Sequence, residues 1–237
     1  MTKLSININK VATIRNARGG NIPNLVQFAI DCQSFGAHGI TIHPRPDQRH
    51  ITLKDVYDLQ NVVVTEYNIE GYPDERYLKI IKDIKPTQAT LVPDPPGVLT
   101  SNAGWNTKEN FNFLKEIVNQ IHSYGVRSSL FIEPEIELIE RAAEIGVDRI
   151  ELYTGPYAEF YHIYKEKAIS PYLTAAETAK KCGLAINAGH DLNLDNLAYF
   201  KQHLCQLDEV SIGHAIISDA LYFGIENTIQ QYLYQLK

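Results

Sequence analysis

The sequence predicts an α/β chain folded as a (β/α)8 TIM barrel, and three observations carry that prediction. Short β-branched runs alternate strictly with amphipathic helical stretches, and eight such pairs can be read from end to end. Connections are mostly short and no composition break or linker interrupts them, so residues 1–237 read as one barrel domain. The length of 237 residues suits a fold that runs to roughly 250. An open doubly wound sheet is the structural alternative. It usually needs fewer repeats and a glycine-rich fingerprint after the first strand, and neither is present.

Residues 4–9 alternate apolar Leu4, Ile6 and Ile8 with polar Ser5, Asn7 and Asn9, the pattern of a first strand. A polar loop over residues 15–20 follows. Leu25, Phe28, Ala29, Cys32 and Phe35 then recur at helical spacing until Gly36. Residues 39–43 form strand two and residues 53–59 a short helix. Residues 62–70 read as strand three, stopped by Gly71 and Pro73. A helix over about 74–84 leads to strand four at 89–92, and an irregular loop, 93–106, holds three prolines and two glycines. The next helix carries Phe111, Leu114, Ile117, Val118 and Ile121 on one face. Strand five (128–132), a helix (135–145) and strand six (149–153) follow. Two helical pieces, about 157–166 and 171–181, precede strand seven at 184–187. A short helix (194–203), strand eight (209–212) and a last helix over about 218–234 complete the order.

Composition narrows the function. With 44% hydrophobic and 21% charged residues the chain can build an ordinary core. Its 22 basic and 28 acidic residues leave a net charge of −6, which argues against nucleic acid as the main partner. Locally placed arginines can still bind phosphates. Cys32, Cys182 and Cys205 are distant, odd in number and in no metal-type spacing, which suits free thiols in a reducing compartment. The first residues carry no apolar signal core, and no run approaches the roughly 18 apolar residues of a membrane span. A soluble, cytoplasmic protein is expected.

Functional side chains of such a barrel gather at the C-terminal ends of its strands. Strand one delivers Asn7 and Asn9 there, and strand two delivers His43, Arg45 and His50. Strand three brings Glu70, strand six Glu151 and Thr154. Strand seven runs into Asn187-Ala188-Gly189-His190-Asp191, and strand eight into Gly213-His214. Any one of these histidines could be a satisfied structural residue, but four of the eight in the chain converge on one face. Imidazole exchanges protons near neutrality, so acid–base chemistry is expected. Glu70 ends an apolar strand, where desolvation would raise its pKa and make it a general base; an ion pair with an arginine is the other reading. His43, His190 and Glu70 are also metal-ligand types, yet no close-spaced pair such as H-x-x-x-H occurs, and no metal or cofactor is expected. Gly189 and Gly213 follow the last two strands, where barrels commonly bind phosphate, and Arg18 and Arg45 could clamp a second phosphate. Thr100 sits in the long 93–106 loop, a length often used for lids.

Four segments together carry a resemblance: residues 12–19 (ATIRNARG), Gly39-Ile40-Thr41-Ile42-His43 with Arg45, Arg49 and His50, Asn187-Ala188-Gly189-His190, and Ile212-Gly213-His214-Ala215-Ile216. Over essentially its whole length the chain resembles the pyridoxine 5'-phosphate synthase family, which closes the pyridine ring in the deoxyxylulose-dependent route to vitamin B6. The resemblance implies a barrel with extra helices, assembled through dimers into a homo-octamer. It implies condensation of 3-amino-2-oxopropyl phosphate with 1-deoxy-D-xylulose 5-phosphate, releasing pyridoxine 5'-phosphate, inorganic phosphate and water. By the matching motifs His43 and Glu70 would be proton acceptors and His190 the proton donor. Arg45, His50 and Thr100 would hold the deoxyxylulose phosphate; Asn7, Arg18, Asp191 and the Gly213-His214 pair would hold the aminoketone phosphate. Two positions depart from the pattern. Asn9-Lys10 stands where many members have Asp-His, and Asp191 where a glycine is common. The competing readings are another phosphosugar aldolase or isomerase barrel, for which Lys10 is the one lysine near a strand end, and a non-catalytic sensor of phosphorylated ligands.

Overall fold

Strand segments joined by helices through right-handed crossovers must lie parallel, with the helices covering the sheet. The computed structural model, which describes residues 1–94 and 103–237, shows this arrangement closed on itself. The strands are β1 (Lys3–Asn7), β2 (Gly39–Ile42), β3 (Glu66–Gly71), β4 (Gln88–Leu91), β5 (Arg127–Ile132), β6 (Arg149–Leu152), β7 (Ala185–Gly189) and β8 (Glu209–Ile212). They pair in sequence order, all parallel, and β8 returns to β1 with Leu4 opposite Val210. The helices are α1 (Asn9–Asn16), α2 (Leu25–Ser34), α3 (Leu53–Gln60), α4 (Glu75–Ile84), α5 (Phe111–Ser123), α6 (Ile136–Ile145), α7 (Gly155–Lys181), α8 (Leu197–His203), α9 (His214–Phe223) and α10 (Ile225–Gln235). The expected (β/α)8 barrel is therefore the fold, with two helices after both β1 and β8.

The alternation seen in residues 4–9 is repeated around the barrel and sets which face is apolar. Leu4, Ile6, Ile40, Ile42, Ile69 and Leu130 are fully buried and belong to the one apolar cluster that also holds the inner faces of the helices. Each such side chain contributes about 2 kcal/mol by leaving water. The opposite face of the strands, turned into the barrel, is largely polar, with Phe131 of β5 an apolar exception at the mouth. Ser5 and Thr41 hydroxyls share a hydrogen bond (2.7 Å), Asn68 donates to Thr41 (3.3 Å), and Thr90 donates to Asn68 (2.9 Å). Below them Gln88 donates to Thr90 (3.2 Å) and accepts from Arg127 (3.0 Å). Arg127 and Lys3 both bind Glu66. Burial opposes the Glu66 charge, but these two cations hold its pKa down at about 2. Lys3, Glu66, Gln88, Arg127, Arg149 and Glu209 are each the first residue of their strand, so a charged layer closes the barrel's N-terminal end.

Several elements differ from the sequence expectation. Strand one stops at Asn7, and residues 9–16 turn into α1 rather than a strand end and loop. Arg15 fixes that helix by a bidentate pair with Asp55 of α3 (2.6 and 2.8 Å), both side chains being nearly buried. The β-branched residues 62–65 are not strand. Gln33 of α2 captures them, donating to the Val62 carbonyl and accepting from the Val64 and Thr65 amides. The two helical pieces expected before strand seven are both present within α7, but they meet at a non-helical Tyr164 (φ −156°, ψ 75°) rather than just before Pro171. The last helix divides at Gly224, whose backbone (φ 74°, ψ 150°) favours glycine and ends α9 before α10 begins.

Asp55 also completes a capping box with Thr52 at the start of α3. Burial works against its charge, yet hydrogen bonds from Arg15 and Thr52 outweigh burial and hold the carboxyl below the ordinary aspartate value. Removing it leaves Arg15 buried and unpaired. Asp55→Ala should lower the unfolding free energy by about 3 kcal/mol, against about 1 kcal/mol for Thr52→Ala, as read by urea denaturation. Because the folded-state pKa is depressed, this stabilisation is present above the unfolded aspartate value of about 3.9 and disappears as pH falls through the folded one.

Candidate active site

The C-terminal strand ends open into a cavity of about 640 Å³. Nine of the residues singled out from sequence line it: Asn7, His43, Arg45, His50, Glu70, His190, Asp191, Gly213 and His214. Arg18 does not. It is exposed beyond α1, so no clamp with Arg45 forms within one chain. Thr100 lies outside the described residues, as does most of the loop read as a lid. Glu151, noted at a strand end but given no role, and Lys10, named only for the aldolase alternative, also line the cavity, and so does Arg49.

The segment after β2 is tied down from several directions. The Asn9 side chain accepts from the His43 amide (3.0 Å), and Arg76 of α4 donates to the Pro44 carbonyl (2.6 Å). Asn16 and Arg15 of α1 donate to the His50 carbonyl (2.8 and 3.3 Å). Arg45 pairs with buried Asp94 just past β4 (2.7 Å). The motif over residues 12–19 therefore serves here as an anchor for the loop that carries His43, Arg45 and His50. Sequence reading missed Asn9, Asn16 and Arg76 in this capacity because each acts on a backbone carbonyl or amide far along the chain, which no spacing signals.

Two histidines of the cavity are tuned in opposite directions. Burial, followed by the charges of Arg45, His50, Arg76 and Arg49, pushes the His43 pKa well below the usual histidine value. His43 is thus neutral at physiological pH and able to accept a proton. The hydrogen bond with Asp191 raises the His190 pKa; burial opposes this, and the nearby Asp191, Glu151 and Asp94 carboxylates add to it. His190 is biased towards the imidazolium, a proton donor. His50 is lowered to about 4 by burial and by Arg45, Arg49 and Lys10. Its Nδ1 accepts from the Ile51 amide (2.9 Å), so the proton of the neutral ring sits on Nε2. That leaves a donor suited to a phosphate oxygen.

Two carboxyl groups lie among these rings. Glu70 has Oε2 3.8 Å from His43 Nδ1 and accepts a long hydrogen bond from Asn7 (3.4 Å). Burial and then Asp94 push its pKa up to about 8, with Arg45 partly opposing. Glu151, on β6, is pushed well above the usual range by burial and by the carboxylates of Glu70 and Glu209. Both are raised, Glu70 to about 8, which is the direction that fits a carboxyl group for proton exchange near neutrality.

The β7 end is strained. His190 has φ 65°, a left-handed conformation that costs a non-glycine residue about 1 kcal/mol. Gly189 before it admits no side chain, since a Cβ would lie 2.3 Å from the Ser211 carbonyl oxygen. At the end of the neighbouring strand β8, Gly213 packs against Asn7 and caps α9. Gly213 and His214 line the cavity, and the first amides of α9 lack intrahelical acceptors as at any helix start, so this end has the character of an anion cradle beside β8. Among the described residues no group of three or more His, Cys, Asp or Glu side chains is arranged to hold a metal ion.

Comparison with known proteins agrees with this geometry. Residues 4–237 match the family model described as pyridoxal phosphate biosynthesis protein PdxJ. The chain belongs to the PdxJ family. It is 58% identical over 236 residues to the pyridoxine 5'-phosphate synthase of Porphyromonas gingivalis, covering 100% of this chain and 99% of the relative. It is 57% identical to the protein of the same name from Cytophaga hutchinsonii, with both chains covered completely (100% and 100%). Among solved structures, KGPDC from Streptococcus mutans superposes with a TM-score of 0.67 at 9% identity, covering 100% of this chain and 97% of that one. Phosphoribosyl anthranilate isomerase from Thermotoga maritima gives 0.62 at 12% identity, with 100% and 98% covered. At such identities the structural likeness speaks for the barrel alone.

The raised carboxyl pKa values can be read directly. Difference infrared spectra at neutral pH should show carbonyl stretches of protonated carboxylic acids. Glu151→Gln should remove one of them outright, and Glu70→Gln one that titrates near pH 8. Spectra lacking both would mean that the cavity is wetter and more polar than its burial implies.

Proposed function

We propose that this PdxJ-family chain synthesises pyridoxine 5'-phosphate, condensing 3-amino-2-oxopropyl phosphate with 1-deoxy-D-xylulose 5-phosphate and releasing inorganic phosphate and water. The observation that carries this reading is the opposite tuning of His43 and His190 within one cavity. Joining an amine to a ketone, expelling water and phosphate and closing the ring is a series of proton transfers on carbons next to a carbonyl or imine. Such steps call for a base and an acid present together at neutral pH, each worth about 10²–10⁴-fold. His43, with Glu70 beside it, takes protons; His190 gives one to a departing hydroxyl. Arg45 and His50 hold the deoxyxylulose phosphate, a task for which Thr100 is also proposed. The α9 amides at Gly213 and His214, with Asn7, hold the aminoketone phosphate. Arg18 is exposed and suits a contact made to a neighbouring copy.

The homo-octamer implied by the resemblance belongs to the same proposal. Exposed Leu221, Tyr222 and Phe223 on α9 and Ile163 and Tyr164 on α7 are apolar surface that assembly would cover, and sedimentation velocity reads the state directly. A cytoplasmic location is proposed on composition. No helix among the described residues is long and apolar enough to cross a membrane.

The purified chain should form pyridoxine 5'-phosphate from the two phosphates without added metal, as followed by product fluorescence and mass. His43→Ala and Glu70→Gln should each lower kcat about 10²–10⁴-fold with smaller changes in KM. Because Glu70 titrates near pH 8, its use as a base should appear as a rate that still rises through neutrality towards that value. Protonation of His43 adds to the acid fall only below the ordinary histidine value of about 6.5, and the alkaline fall, where His190 loses its proton, lies above that value. A Lys10 adduct trapped by borohydride with a ketose phosphate would instead favour an aldolase. Tight binding of both phosphates without turnover would favour a sensor.

A further inference from the structure

Among the described residues that line the cavity, His190 alone has a positive φ. The turn that imposes it is held by four backbone contacts. The Asp191 amide reaches back to the Gly189 carbonyl (2.9 Å) and to Thr154 Oγ1 (3.3 Å). The Thr154 hydroxyl donates to the same Gly189 carbonyl, and the His190 amide donates to Ser211 (3.3 Å). In an extended strand, neighbouring side chains point to opposite faces. Here the left-handed residue brings two neighbours to one side, and His190 Nδ1 lies 2.7 Å from Asp191 Oδ2.

We propose that Asp191 is a positioning residue for His190. Its carboxylate accepts the Nδ1 proton, fixes the ring's orientation and tautomer, and makes Nε2 the atom that gives the proton to substrate. The inference rests on the reading of His190 as proton donor. It gives the Asp191 side chain a task other than the substrate contact expected from sequence, and it accounts for a negative charge in a cavity meant for phosphates: the charge is spent on the neighbouring imidazolium.

The other groups facing His190 do not supply this function. Glu151 on β6 acts on the ring through space, as a smaller contribution than the Asp191 hydrogen bond and charge. Tyr153, just past β6, meets the ring edge-on at 6.1 Å between centroids and offers packing. Asp94, past β4, is engaged by Arg45. Glu70 on β3 is raised by burial as Glu151 is, and His214 at the start of α9 carries no negative charge. Among the described residues Asp191 is the carboxylate in hydrogen-bond contact, and both partners keep part of their side chains in water (38% and 39% exposed). Replacing it should therefore leave the fold intact.

The test compares wild type, Asp191→Asn and Asp191→Glu. Nitrogen-15 imidazole NMR of the free enzyme reads the His190 titration and tautomer; rates across pH read its use. In Asp191→Asn the His190 midpoint should fall, and the loss of kcat should be about tenfold greater at about pH 8.5 than at about pH 6, tenfold being the effect of one pKa unit. Asp191→Glu, which keeps the charge, should recover part of both. An unchanged His190 titration in Asp191→Asn overturns the inference. So does a loss equal at all pH values that falls on KM, which would mark a substrate contact. Should the wild type make no product, the proposed reaction fails, while the NMR titration still decides whether Asp191 governs His190.

Discussion

The structure depends on where its apolar surface is placed. A barrel of this kind ordinarily fills its interior with branched apolar side chains. Here those side chains face outward to the helices, and the interior is polar from the Lys3–Glu66–Arg127 layer through Ser5, Thr41, Asn68 and Thr90 up to the mouth. Such an interior is tolerable only if its members satisfy one another, because an unpaired buried polar group costs about 1–3 kcal/mol. The column of side-chain hydrogen bonds meets that demand from β1 to β4, whereas on the β5–β8 side Ser129 Oγ, Glu151 Oε2, Asn187 Nδ2 and Ser211 Oγ are buried without a partner among the described residues. Asn7, Glu70 and Glu151 are its uppermost layer. Their burial is a consequence of the same arrangement, and it is burial that lifts both carboxyl groups towards neutrality.

Above that layer, environment separates two chemically identical rings. His43 stands in a loop with Arg45 and Arg49 and near Arg76, and cations beside a buried imidazole favour its neutral form. His190 stands on a strained turn beside Asp191, near Glu151 and Asp94, and carboxylates favour the imidazolium. The first ring is held by many hydrogen bonds to its loop, the second by a backbone conformation that Gly189 and Thr154 enforce. Rigidity is supplied differently at the two places, but in both it comes from residues outside the reacting pair.

Much of this was legible in the sequence, and the exceptions share a cause. Period-two and period-3.6 patterns report burial on one face, so the eight strands and most helices could be read, β8 to the residue. The same patterns could not tell that residues 62–65 are claimed by Gln33, since a side chain on another helix makes that choice. Nor could they show that Arg15 folds residues 9–16 into a helix through Asp55. Nine of eleven site residues converge because strand ends converge in any barrel. Arg18 does not, because it lies past α1, where no strand directs it. Glu151 was visible at a strand end, but its protonation depends on Glu70 and Glu209, which only the closed barrel brings near.

The departures at Asn9 and Lys10 make physical sense within this field. Asn9 spends its side-chain oxygen on the His43 amide, a bond that any residue with a short acceptor could make, so the base keeps its place without an acid there. Lys10 adds a positive charge beside His50 and helps keep that ring neutral. With Arg45 and Arg49 it makes the β1–β2 side of the mouth cationic, while Glu151 and Asp191 place the carboxyl groups on the β6–β7 side. Under the proposed reaction the cationic side is where the deoxyxylulose phosphate is held, and the charge difference across the mouth would orient that substrate before any catalytic group acts.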